Sequence, residues 1–168
     1  QALNETQLRE VITKILTLAA QQGIGEAPVE QAEPEEDEAL AALDRGDYAA
    51  AEASYRALLE RKPNDVYGKL GLAQVQLLIR TDGLDAAAIM KVAIERPDDI
   101  ELQMQCADVE IMGGYLEPGF KRLLALITVL SGDEQKRVKD RLLELFALVD
   151  PADPRVIKAR AQLANALF

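Results

Sequence analysis

The 168-residue sequence has no histidine and a single cysteine, Cys106. Zinc is therefore left without its usual His and Cys ligands, and no Ser/His/Asp set can be assembled. A lone cysteine cannot form an intramolecular disulfide, which suits a reducing compartment such as the cytoplasm. Aromatic residues make up only 4% of the chain, and the β-branched and aromatic runs that mark strands are missing. No apolar run approaches the roughly 20 residues needed to cross a bilayer. No basic start followed by an apolar stretch marks a signal peptide. A basic stripe of the kind that tracks phosphates is also missing, which argues against a nucleic-acid partner. The expectation is a cytoplasmic protein with neither a membrane segment nor a cofactor.

What is present is mostly alanine and leucine, residues that lose little side-chain entropy on entering a helix. The formal charge is −10, and seven acidic residues with no basic one lie between Glu26 and Glu38. Without them the remainder carries −3, nearly neutral for its length. An opening helix over 4–18 is expected, with Asn4 and Gln7 forming a capping box. Its stripe of Leu8, Val11, Ile12, Ile15 and Leu16 follows the helical period. Residues 26–36 hold Pro28 and Pro34 and almost no large apolar side chain. They read as an acidic linker between a segment 1–25 and a domain 37–168.

From Asp37 onward a spacing of 34 residues recurs. Pro63-Asn64-Asp65 returns as Pro97-Asp98-Asp99. Small residues align at Ala39, Ala73 and Ala107, and apolar ones at Tyr55, Ile89 and Leu123 and at Leu58, Val92 and Leu126. This period specifies helical hairpins that bury their apolar faces only by stacking. In the first, a helix over about 36–45 turns at Gly46-Asp47 into a second over 48–61. Later units are expected at 66–96, 100–130 and 134–166, so the fold is all-α, a superhelix of about four helical hairpins preceded by one extra helix.

Gly46-Asp47-Tyr48, Ala51, Tyr55 and Pro63-Asn64-Asp65 resemble the second half of a tetratricopeptide repeat. The second unit departs from it, with Arg80-Thr81-Asp82-Gly83 at the turn and Asp85 where a small residue is expected. The third has Ser131 in place of the terminating proline. Over the whole chain, the opening Ala2-Leu3-Asn4-Glu5-Thr6-Gln7-Leu8 with its apolar stripe resembles the last helix of a thioredoxin fold. An acidic linker, degenerate repeats and a closing Asp153-Pro154-Arg155-Val156 to Ala166-Leu167-Phe168 follow. This order is similar to the C-terminal portion of the bacterial thioredoxin-like co-chaperones called YbbN or CnoX. The resemblance implies a protein-binding module for unfolded clients or for chaperonin or Hsp70 machinery. Two rivals stand beside it: a repeat scaffold for one folded partner, and a fragment that positions a redox domain. No Cys-x-x-Cys occurs in this chain.

Several residues invite chemistry. Cys106 aligns with Leu72 at a position between helices, which reads as a small buried hydrophobe and not a reactive thiol. Asp98, Asp99 and Glu101 read as a helix-capping cluster, since the alternation and central glycine of a calcium loop are missing. No catalytic or metal-binding set is identified. By analogy with the family, the first helix of each unit lines a concave groove. This places Tyr67, Leu70, Gln74, Leu77 and Leu78 there, with Glu101, Met104, Asp108, Ile111 and Met112 from the next unit. Packing in the core is the competing reading for Leu70, Leu77 and Ile111. Only Lys69 and Arg80 lie near enough to form a peptide-carboxylate clamp, so that mode is not supported. The apolar end at Leu167 and Phe168 is a candidate dock for a chaperone, or it seals the last hairpin. The 4–18 stripe is a candidate for self-association.

Overall fold

Helix starts along the chain are marked by aspartates. Asp47 accepts a hydrogen bond from the Ala50 amide at 3.0 Å, Asp65 from Gly68 at 2.7 Å and Asp99 from Leu102 at 3.1 Å. Each satisfies an amide that the first helical turn leaves unpaired. The computed structural model describes residues 33–167, and those residues contain eight helices and no strand. They are α1 (Pro34–Asp44), α2 (Tyr48–Arg61), α3 (Val66–Thr81), α4 (Ala86–Glu95), α5 (Ile100–Met112), α6 (Leu116–Val129), α7 (Gly132–Ala147) and α8 (Pro154–Leu167). The opening helix expected over 4–18 lies outside the described residues. So do Phe168 and most of the expected linker.

The linker's last residues are a correction. Pro34, Glu35 and Glu36 form the first turn of α1 instead of preceding it. Proline loses nothing at the first helical position, and the acids that follow face the positive end of the helix dipole. Glu35 also pairs with Arg61 of α2 at 2.7 Å.

The stack follows the expected order, α2 packing on α1 and α3, α5 on α4 and α6, and α7 on α6. Two of the four pairs are looser than hairpins. α4 leans on α5 and barely touches α3, and α8 rests chiefly on α6. Two apolar clusters result. The first joins Ala39, Ala42, Ala51, Tyr55 and Val75, and the second runs from Leu77 through Phe120, Leu142 and Phe146 to Leu163.

The irregular second unit has a local cause. Gly46 and Gly114, two periods apart, both turn the chain with positive φ (71° and 81°). The position between them is Arg80, and the left-handed glycine comes three residues later at Gly83, with φ 67°. α3 therefore continues to Thr81, and α4 starts late, at Ala86. Asp85 stands in the column of Ala51, yet it is the cap of α4, accepting from the Ala87 and Ala88 amides. The missing small residue is thus a displaced helix start.

Candidate protein-binding surface

The face of α3 expected to line a groove changes character along its length. Tyr67 is 66% exposed, Gln74 is exposed, and Leu70 and Leu78 are half-buried. One turn after Gln74, Leu77 is buried in the larger cluster. On α5, Glu101 and Met112 are exposed, while Met104, Asp108 and Ile111 are buried. Leu77, Met104, Asp108 and Ile111 are therefore buried, against the expectation of an open groove lining, although Met104 borders a hollow between α3, α5 and α7. For Asp108 and Met104 the reason is α7, which touches both α3 and α5, whereas Ile111 lies against Gly119 of α6.

An ion cluster ties the three helices where they meet. Arg80 Nε donates to Asp108 Oδ2 at 3.0 Å, and Arg80 Nη1 donates to Glu144 Oε2 at 3.2 Å. Arg141 Nη1 donates to the same Asp108 Oδ2. The Asp108 side chain has no solvent exposure, and those of Arg80 and Arg141 have little. Burial pushes the Asp108 carboxyl up from its ordinary range, against the pull of the two arginines. Outside this knot Arg137 reaches Glu101 at 3.1 Å. Arg80, Arg137, Arg141 and Glu144 border an open hollow of about 400 Å³, polar and of mixed charge. It lacks the apolar lining expected of a groove for unfolded chains.

A second knot holds the other side of α5. Arg122 of α6 grips Glu110 through two bonds of 3.0 and 2.7 Å and donates to Gln103 Oε1 at 2.6 Å. Gln103 Nε2 in turn donates to the Ala93 carbonyl at 2.8 Å, fixing α4 against α5. Among the described residues no side-chain polar atom is buried without a partner. The residues of the first knot were not legible as a site, because they come together from 28 to 64 positions apart along the chain. One signal existed: an arginine, Arg80, in a column that otherwise holds turn glycines.

Cys106 is fully buried, as the Leu72 alignment implies, and burial pushes its thiol up. Asp99 is a helix cap. Among the described residues, no three metal-ligating side chains converge and no helix is long and apolar enough to cross a membrane. At the chain's end Leu167 is partly exposed.

An open apolar surface lies on α4, which the sequence did not single out. Eight of its ten residues, in Ala-Ala-Ala-Ile-Met-Lys-Val-Ala-Ile-Glu, are apolar, yet Ala93 alone is buried. Ile94 is 82% exposed, and Leu84, Met90 and Ile79 of α3 are also open to solvent.

A model of the tetratricopeptide repeat matches residues 79–168, more than half of the chain. The chain belongs to the tetratricopeptide repeat family. Proteins described as uncharacterized in Mycobacterium bovis and Mycobacterium tuberculosis are 38% identical to it over 165 residues. The alignment covers 96% of this chain and 54% of theirs, so this tetratricopeptide chain spans about half the length of the curated relatives it matches. No solved structure matches significantly. The tetratricopeptide fold is typically a non-catalytic scaffold for protein–protein interaction.

Proposed function

We propose that this tetratricopeptide domain is the protein-binding module of a thioredoxin-like co-chaperone in the cytoplasm, holding loosely folded clients or docking onto chaperone machinery. The observation that carries the reading is α4, the apolar helix that buries one residue. An exposed stripe of Met90 and Ile94, beside Leu84, suits apolar client segments, and Met adapts to varied partners. The order of segments, with its resemblance to YbbN or CnoX, supports the co-chaperone setting. Neither catalysis nor a cofactor is part of this reading.

The test is suppression of aggregation of several unrelated, chemically unfolded proteins by the chain. Met90→Glu with Ile94→Glu should abolish suppression and lower the melting temperature only slightly, since Ile94 is 82% and Met90 37% exposed. Undiminished suppression by this variant would remove α4 from the reading. The ion-paired inner face favours one alternative, a scaffold for a single folded partner, because fixed charges select partners better than they accommodate varied ones. A scaffold of that kind would not suppress aggregation at all.

A further inference from the structure

The stack has two ends of opposite chemistry. Within it each second helix is covered by the next unit's first: α2 by α3, α4 by α5 and α6 by α7. Among the described residues α8 has no such successor. The side of α8 turned inward buries Val156, Ala159 and Leu163. Another side presents Ile157, Ala161, Ala164 and Leu167, spaced by four, three and three residues and all exposed. Arg160 lies on the same stripe with its guanidinium 5.5 Å from the ring centre of Phe146, so the stripe borders α7. There Leu143 is also exposed. α8 carries three cations and no acid, and with Arg155 paired to Asp153 and Lys158 to Glu117 it is Arg160 that faces a partner.

The other end is its complement. α1 holds five acids and no base. Its outward face carries Asp37, Leu40, Ala41 and Asp44, at i, i+3, i+4 and i+7, all exposed and with Leu40 at 54%. A helix with this face matches the exposed stripe of α8. Leu40 and Ala41 can lie against Ile157, Ala161 and Ala164, whose small alanines allow close approach of the axes. Asp37 and Asp44 then border Arg160.

We propose that α8 seats α1 of a second copy of this chain, so that copies join end to end and the stack runs on across the junction. The contact is heterologous, using different surfaces on the two partners, and it leaves one free end of each kind. Association should therefore continue past the dimer. One helix on another is a small interface, so the contact should be reversible, and its exposed charges make it sensitive to salt. The inference stands apart from the client reading, which rests on α4.

Sedimentation velocity on the whole chain tests it. In low salt the average mass should climb with concentration beyond that of a dimer, and at about 1 M salt, where charges are screened, it should fall toward the monomer. Arg160→Glu should weaken association about tenfold, and Asp37→Arg with Asp44→Arg should do the same. Mixing the two variants should restore it, because the acid introduced on α8 of one then meets the bases introduced on α1 of the other, while the opposite junction is native. Melting curves matching the parent would confirm that both variants fold. A chain that stays monomeric in low salt up to its solubility limit overturns the proposal. So does association that both variants leave intact, or a mixture that fails to recover it.

Discussion

The two apolar clusters of this domain are packed by opposite means. Around α1–α3 the contacts come from Ala39, Ala42 and Ala51, which bring backbones close, and from one ring, that of Tyr55. The ring fits because Gly71 has no side chain: a Cβ there would stand 2.3 Å from it. From Leu77 onward the space is filled by Phe120, Leu123, Leu142, Leu145 and Phe146, with the two phenylalanine rings edge to face 4.9 Å apart. Close approach fixes geometry with little apolar area, whereas large side chains bury area and tolerate looser pairing. The second region accordingly keeps its core although α4 and α8 lean away from their hairpin partners. The larger core should dominate the stability, since stabilisation follows apolar surface removed from water.

Phe146→Ala probes this difference most severely. Cutting back a fully buried phenylalanine should cost about 3–5 kcal/mol and lower amide protection throughout α5–α8. Tyr55→Ala should instead raise exchange mainly in α1, α2 and the start of α3. Hydrogen exchange read residue by residue gives the comparison. Equal loss of protection everywhere in both variants would mean that the clusters unfold as one unit and the contrast is only compositional.

The ion knot is the seam between the regions, because Arg80 comes from α3 and Arg141 from α7. Asp108→Asn removes the charge that both arginines face and should cost roughly 2–3 kcal/mol. This is below the range for a fully buried pair, because the guanidiniums keep some contact with water. Urea unfolding measures the loss. Asp108→Asn combined with Arg80→Met should recover part of it, since one uncompensated cation is then gone. No recovery would indicate that Asp108 acts through something other than its charge.

Legibility in the sequence ran opposite to the strength of the core. The residues that resemble a tetratricopeptide repeat most clearly, Gly46-Asp47-Tyr48 to Pro63-Asn64-Asp65, belong to the smaller cluster, while the family model matches residues 79–168. Turns and caps are local, so Asp65, Asp99 and the 34-residue columns placed the helices within a few residues. The exception is α4, where glycine sits three positions late and the column rule read Asp85 as a misfit. Which of the expected groove residues are buried was not legible, because that depends on how α7 lies against α3 and α5. The spacing of α5 cannot reveal that Asp108 meets α7 while Ile111 meets Gly119 of α6.

The smallest expected effect concerns the start of α8, where a local device can be separated from the core beneath it. Asp153 accepts from the Arg155 amide at 2.8 Å, and its carboxylate is gripped by the Arg155 guanidinium at 2.6 and 3.0 Å. These bonds, the guanidinium's first, hold the carboxyl down from its ordinary 3.8 to about 2. A carboxyl depressed in the folded state supports that state above its unfolded value and loses the contribution as pH falls. The window is therefore from just under pH 4 down to about 2. In that range the first turn of α8 should fray, while Val156 and Leu163 stay buried on α6. NMR of the α8 amides against pH reads the change. Asp153→Asn keeps an acceptor for the amide but loses the ion pair, so its first turn should already be looser at pH 6 and respond less to acid. If variant and parent fray alike between pH 4 and 2, the pairing with Arg155 adds nothing to the helix start. The packing against α6 would then be sufficient to hold it.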